Sequence, residues 1–335
     1  MNFDFSEDQY ALRDAARDFF AGESSPGYVR STWESETARS PELWRKLAET
    51  GFVGLTVPEE HGGLGLDEVD LVLLLEEAGY AALPEPLLET TAIGVPLLRE
   101  AGTEAQQKEW LPKVAAGEAV LTVQLVDAPF VVDAHIADLL LLERDGQLHA
   151  VPAGRFSATL QPSMDGARRL FSVAAETGDD TRMTGGAPEA ARAYDRGAAG
   201  TAALLNGVSQ RLLDLSVAYV KDRQQFGRPV GSFQAVKHKL AETLLVTETA
   251  KAAAWYAAYA IATDAPDRSA AASIAKSYAS DAQNKANAES LQVHGGIGFT
   301  WEHDLHLWLK RGKALEQAYG SATAHRARLA ERLFA

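Results

Sequence analysis

The sequence predicts a mainly α-helical chain with a small β domain in its middle, and three observations carry that reading. Apolar residues recur at helical spacing in the first and last thirds of the chain. From about residue 119 the texture changes to short Val-, Leu- and Phe-rich runs separated by turn residues. Clusters of Gly and Pro fall at the junctions. The expected organisation is an N-terminal helical domain over residues 1–118, a reduced middle β domain over 119–180 and a C-terminal four-helix bundle over 188–335.

Residues 6–20 read as an amphipathic helix, with Ser6 placed to cap it and Tyr10, Leu12, Ala16 and Phe19 forming an apolar stripe. Helical patterns return over 41–50, 66–78 and 103–116, and the Pro- and Gly-rich stretch 54–66 forces a compact loop between the first two. Strands are expected at 120–126, 137–143, 147–151 and 170–174, in an antiparallel unit, with Asp145-Gly146 making a hairpin turn. Residues 178–188 read as a polar connector. Beyond it Leu204, Val208, Leu212, Leu215 and Tyr219 keep helical spacing, and 240–262 is apolar almost all round, with Leu244, Leu245, Trp255, Tyr256 and Tyr259. Such a helix belongs inside a bundle or at an oligomer interface.

The 335 residues, 46% of them hydrophobic, can bury a large core. There is no cysteine, which excludes disulfides, thiolate nucleophiles and Cys-ligated metals. A net charge of −14 argues against a nucleic-acid surface. Neither a secretory signal pattern nor an apolar run of membrane-spanning length is visible, so a soluble cytoplasmic protein without membrane or nucleic-acid partners is expected.

Two punctuated segments point to chemistry. Arg223-Gln224-Gln225-Phe226-Gly227 and Gln292-Val293-His294-Gly295-Gly296-Ile297-Gly298-Phe299-Thr300 each sit at the edge of an Ala-rich helical run. A guanidinium fork and bare peptide N–H groups are the two group types that hold a pyrophosphate. The structural alternatives are a helix C-cap at Gly227, stopped by Pro229, and an interhelical turn at Gly295-Gly296. His294, His303 and His306 lack metal-ligand spacing and read as packing or capping residues. Trp255 and Tyr256 read as core, Trp301 and Trp308 as helix packing, and Lys310 and Arg311 as a solvated helix face rather than a coenzyme A phosphate site.

Taken with Pro58-Glu59-Glu60-His61-Gly62-Gly63-Leu64-Gly65 and Phe233-Gln234, these segments make the chain resemble the acyl-CoA dehydrogenase family over nearly its whole length. The resemblance implies α,β-dehydrogenation of an acyl-CoA thioester with FAD as cofactor and electron-transfer flavoprotein or a similar protein as acceptor. By position it implicates Arg223, Phe226, Phe233, Gln234, Gln292, Gly295 and Gly296 in holding the pyrophosphate and adenosine of an FAD whose ring lies on a neighbouring chain.

The family's chemistry also needs a glutamate to remove the α-proton. Ungapped counting places one family position for this base at Tyr319 and the alternative at Gly197, with Ala198 at the arginine that follows it. Neither residue can serve: a tyrosine with a reference pKa of about 10 stays protonated at neutral pH, and glycine has no side chain. The flavin-cradling strand of the family is replaced by Val123-Gln124-Leu125-Val126-Asp127-Ala128-Pro129-Phe130, and no Trp-Ile-Thr-like strand follows.

This selective loss implies a non-catalytic subunit that completes the adenosine and pyrophosphate site of a full-length catalytic partner. The family contains such assemblies as two-plus-two heterotetramers of bacterial steroid side-chain catabolism, with one FAD per unlike pair. Two alternatives stand beside it. One is a self-sufficient homotetrameric dehydrogenase using Asp195, Glu302 or Glu316 as base, and the other is a flavin-free scaffold.

Overall fold

The computed structural model describes residues 4–125 and 128–334. Val126, the last residue of the expected first strand, Asp127, which follows it, residues 1–3 and residue 335 lie outside the described residues.

The helix expected at the N-terminus is α1 (Glu7–Glu23). Ser6 caps it reciprocally: the Gln9 N–H donates to Ser6 Oγ at 3.2 Å and the Ser6 N–H to Gln9 Oε1 at 2.9 Å. A short α2 (Pro26–Glu34) follows that the periodicity did not reveal, because it buries only Val29 and Thr32. The helices α3 (Pro41–Glu49) and α4 (Glu68–Tyr80) match the expected segments and are capped by Ser40 and Asp67. A π-helical turn, Leu88–Gly94, leads into α5 (Val95–Ala101), also unforeseen, and then α6 (Glu104–Ala115) starts at its Thr103 cap. The wide turn is tied to the β domain by the Thr90 hydroxyl, which donates to the Leu121 carbonyl at 2.8 Å.

Seven strands follow: β1 (Leu121–Gln124), β2 (Val131–Val132), β3 (Leu139–Arg144), β4 (Gln147–Pro152), β5 (Phe156–Gln161), β6 (Leu170–Ala175) and β7 (Arg182–Gly186). They form one sheet of order β1-β3-β4-β7 and a second of order β2-β6-β5. The β3–β4 hairpin turns on Asp145 and Gly146, both at positive φ (51° and 75°), as a two-residue connection requires.

Two expectations are corrected. The β unit is not wholly antiparallel, since β1 pairs with β3 in parallel, Leu121 opposite Leu139. The chain leaves β1 to form β2 in the other sheet before returning, so no hairpin joins the pair. The supposed connector 178–188 contains β7, an edge strand whose one-sided pairing needs no apolar alternation.

The last third holds α7 (Ala187–Asp222), a two-residue ribbon of β8 (Gln224–Gln225) and β9 (Arg228–Pro229), then α8 (Gln234–Ala262), α9 (Arg268–His294), α10 (Leu305–Gln317) and α11 (Ala322–Phe334). Helices α7, α8 and α9 pack on one another, α4 and α10 lie against α7, and α11 lies on α9. The apolar α8 buries Ala250, Ala254, Ala257 and Ile261 but leaves Leu244, Leu245, Tyr256 and Tyr259 exposed. Tyr256 is therefore not a core residue: it is exposed, and its hydroxyl donates to the Asp267 carboxylate at 2.7 Å, just before α9.

Candidate functional site

The residues singled out for phosphate binding gather at one end of the bundle. Helix α7 stops at Asp222, and Arg223 leaves it in extended conformation, its N–H donating to Tyr219 O at 2.9 Å and its carbonyl accepting from Val230 N at 2.8 Å. Gly227 is not a helix C-cap, as the sequence allowed. It forms with Phe226 the tight turn between β8 and β9, both at positive φ (74° and 56°). That turn pushes Phe226 into solvent, 89% exposed, with its ring edge-on to Phe233 at 6.1 Å. Arg228 covers Phe233 from 4.1 Å.

The second segment reaches the same end because Tyr219 of α7 stacks on His294 at the close of α9, centroids 4.5 Å apart. His294 is thereby a packing residue, its Nδ1 donating to Ser290 O at 2.7 Å. One residue on, Gly295 adopts φ 61°, ψ −141°, a conformation open to glycine, and neither Gly295 nor Gly296 has an atom within 4 Å of where a Cβ would stand. Gln292 and Gln234 are exposed, and α8 begins at Phe233 and Gln234 with no side-chain cap. The Arg223 guanidinium makes no ion pair among the described residues. A guanidinium, uncapped helical N–H groups and bare glycine peptides form a donor set suited to phosphate oxygens, and the exposed Phe226 ring offers a face to a flat base.

The two positions at which the resemblance would place a base, Tyr319 and Gly197, also meet, inside the molecule. Tyr319 lies in the turn between α10 and α11 and Gly197 lies on α7, and a Cβ on Gly197 would fall 2.3 Å from the Tyr319 ring. The ring occupies the space that a side chain at position 197 would need. Burial, and then the Glu89 carboxylate, push the Tyr319 phenol well above the ordinary tyrosine range.

Around this contact runs a seam of buried ion pairs that the sequence did not disclose. Glu89, aimed by the π-helical turn, pairs with Arg168 of the β domain at 3.0 Å. Arg39 pairs with Asp133, and Arg311 pairs with Asp165 while donating to Leu83 O at 2.8 Å. Arg311 is thus buried between domains rather than on a solvated helix face. Glu85 accepts from the Tyr28 hydroxyl and from Ser40 N, both at 3.2 Å, and burial raises its carboxyl to about 7. The cavity these groups enclose measures about 30 Å³, room for a water or two and not for an acyl chain. A signal was present in the sequence: Glu85 and Glu89 are lone charges within an apolar run.

The acidic alternatives are engaged elsewhere. Asp195 is fully buried, accepting from the Ser269 hydroxyl at 2.5 Å and from Arg328 at 2.8 Å. Glu316 accepts from Asn284 at 2.6 Å and pairs with Lys313 at 3.0 Å, and Glu302 is exposed. Trp308 is buried and donates to Tyr80 O at 2.8 Å, a packing role. Trp301 is 61% exposed and carries the Lys310 ammonium 4.1 Å over its ring. Among the described residues no cluster of His, Asp or Glu is placed to hold a metal, and no helix is long and apolar enough to cross a membrane.

Comparison with known proteins bears on the family and the fold. Residues 6–118 match the acyl-CoA dehydrogenase N-terminal domain and residues 184–334 the acyl-CoA dehydrogenase C-terminal domain. The chain is 38% identical over 335 residues to acyl-CoA dehydrogenase IpdE2 of Mycolicibacterium smegmatis, covering 98% of this chain and 100% of the relative. It superposes on a chain of the ChsE4-ChsE5 complex from Mycobacterium tuberculosis with TM-score 0.92 and 25% identity, covering 100% and 99% of the two chains. A chain of the Tcur3481-Tcur3483 steroid acyl-CoA dehydrogenase superposes with TM-score 0.89 and 27% identity, covering 98% of each.

Proposed function

We infer the function from family and site together: this chain belongs to the acyl-CoA dehydrogenase family, and it serves there as a non-catalytic subunit that completes the FAD site of a full-length catalytic partner. The observation that supports this most is the opposite condition of its two sites. At the bundle end Arg223, Gln292 and Gly295-Gly296 are exposed and, among the described residues, make no side-chain hydrogen bond or ion pair, while the Tyr319 ring lies against Gly197.

In this reading Arg223, Gln292 and the Gly295-Gly296 backbone hold the pyrophosphate, and Phe226, Phe233 and Gln234 hold the adenosine. FAD, when bound, supplies the hydride acceptor for the acyl β-carbon. This chain's residues bind and orient the cofactor's adenosine half, lowering the entropy lost when the partner positions the ring against substrate. The α-proton is taken by a carboxylate of the partner. The exposed Leu244, Leu245, Tyr256 and Tyr259 of α8 and Ile274 and Tyr278 of α9 supply apolar surface for a two-plus-two assembly. A steroid-derived acyl-CoA is the proposed substrate class, supported by the likeness to a solved steroid acyl-CoA dehydrogenase. Electrons then pass to electron-transfer flavoprotein or a similar acceptor in the cytoplasm.

The test is the flavin-to-protein ratio of this chain alone and co-expressed with a full-length family member encoded beside it. One FAD per unlike pair is expected, and little flavin on the chain alone. A homomer that is yellow and reduces an acceptor with an acyl-CoA overturns the proposal.

A further inference from the structure

The turn that carries Tyr319 is held more firmly than an ordinary interhelical connection. Lys276 of α9 is fully buried, and its ammonium donates to Glu316 O and Gly320 O, each at 2.9 Å, and to Ser280 Oγ at 3.3 Å. Three donors thus meet three acceptors, two of them backbone carbonyls on either side of Tyr319. His325 of α11 is buried as well, and its Nε2 donates to Tyr319 O at 2.7 Å. Tyr319 itself sits at φ 50°, a left-handed conformation that costs a bulky residue free energy. Next to it, Gly320 at φ 91° has no Cβ, and one would fall 2.5 Å from the Tyr194 hydroxyl.

Burying an ammonium is expensive, and here burial lowers the Lys276 pKa to about 7. Nothing in the clasp at the bundle end uses this lysine. Its bonds go to the last turn of α10, to the turn that follows and to its own helix, so the cost is incurred where Tyr319 is placed. The ring so placed touches Gly197, the one residue of α7 that by resemblance could have carried a base.

We propose that Lys276 and His325 are positioning residues that latch the α10–α11 turn, so that the Tyr319 ring is held on Gly197 as a plug closing this chain's own inner site to a carboxylate or a thioester. The latch concerns the inner site alone and goes beyond the role assigned to the outer clasp.

Because the chain has no cysteine, a single introduced thiol is a clean reporter. In the full-length chain carrying Tyr319→Cys, the thiol reacts with an uncharged maleimide far more slowly than one introduced by Ser157→Cys on the exposed face of β5. Adding Lys276→Met or His325→Ala speeds labelling at position 319 by about 10- to 100-fold, as expected for loss of a buried hydrogen bond. His325→Gln, which keeps a donor, retains slow labelling. A thiol introduced by Ser290→Cys, buried on the same helix as Lys276, keeps its rate in all these variants.

Labelling at 319 as fast as at 157 in the otherwise unaltered chain overturns the latch. So does acceleration at 319 and 290 together, which marks general loosening, and so does equal acceleration by the Ala and Gln variants of His325. If Lys276→Met does not fold, the His325 pair carries the test. Flavin content of the co-expressed complex stays unchanged in the latch variants and falls with Arg223→Ala, so failure of the latch and failure of the clasp read separately.

Discussion

At the outer end of the bundle Gly295 and Gly296 face open space, whereas Gly197 on the inner side of α7 faces a tyrosine ring that a Cβ would strike at 2.3 Å. The neighbouring charges follow the same division. Arg223, at the same end of the bundle as the open glycines, makes no ion pair among the described residues, while Arg39, Arg168 and Arg311 in the interior are each matched to a carboxylate. Glycine next to arginine therefore has no fixed meaning. Where the backbone N–H groups stay bare and the guanidinium unpaired, the pair is available to an anion from outside. Where a ring and carboxylates fill the space, the same residue types seal an interior.

The comparison breaks most readily at Arg223. Arg223→Ala is expected to weaken flavin retention by the co-expressed complex by about 2–5 kcal/mol, the scale for truncating one partner of a hydrogen-bonded charge pair, while leaving the melting temperature of the chain alone unchanged. Flavin absorbance after gel filtration reads the first and a thermal melt the second. Retained flavin would mean that the open end is not a clasp.

On the closed side, Glu85 tests whether the seam is dry. Its folded pKa of about 7 lies above the usual 4.5, so the folded state holds the proton longer than the unfolded one. The resulting stabilisation is fully present below pH 4.5 and is lost as pH rises through 7, a change of up to about 3 kcal/mol. Glu85→Gln keeps the hydrogen bonds and flattens that slope, measured as urea midpoints from about pH 5 to 8. A slope identical to that of the unaltered chain would show Glu85 to be solvated.

Gly197→Ala sharpens the contrast further, since a single methyl enters occupied space. It is expected to destabilise by about 1–3 kcal/mol, and Tyr319→Leu in the same chain is expected to relieve part of that loss. A double-mutant cycle on denaturant midpoints measures the coupling, and additivity would separate the two residues. Gly296→Ala, whose Cβ has no neighbour within 4 Å, is the control with little effect on stability. The smallest effect is expected at Phe226. Because the ring is 89% exposed, Phe226→Ala leaves stability unaltered and weakens flavin retention by about 1 kcal/mol, the lower end for stacking on a base.

Much of the local structure at the bundle end was legible in the sequence because its parts are local. A helix end, a two-residue turn and a glycine pair each need only a few consecutive residues, and Phe226-Gly227 and Gly295-Gly296 announce themselves. Even there one reading failed, since Gly227 closes a β-turn and not a helix. The fold of the helical thirds was legible for the same reason: Ser6, Ser40 and Thr103 cap helices whose apolar stripes follow at once. The helix α2 and the π-helical turn at 88–94 were not, as one buries too little to show a period and the other departs from the 3.6-residue repeat.

By itself the sequence determined the helical character of both ends, the β texture of the middle, the absence of thiol chemistry and the two punctuated segments, Arg223–Gly227 and Gln292–Thr300, on which the proposed clasp rests. Each of these depends on residue type or on spacing within a few turns. Only the tertiary structure decided that Tyr319 and Gly197 are in contact, that Glu89 finds Arg168 and Arg39 finds Asp133, and that Arg311 is interior. Those pairs lie far apart along the chain, and burying a charge is tolerable only where packing delivers its partner, so the closed site exists only once three domains have come together.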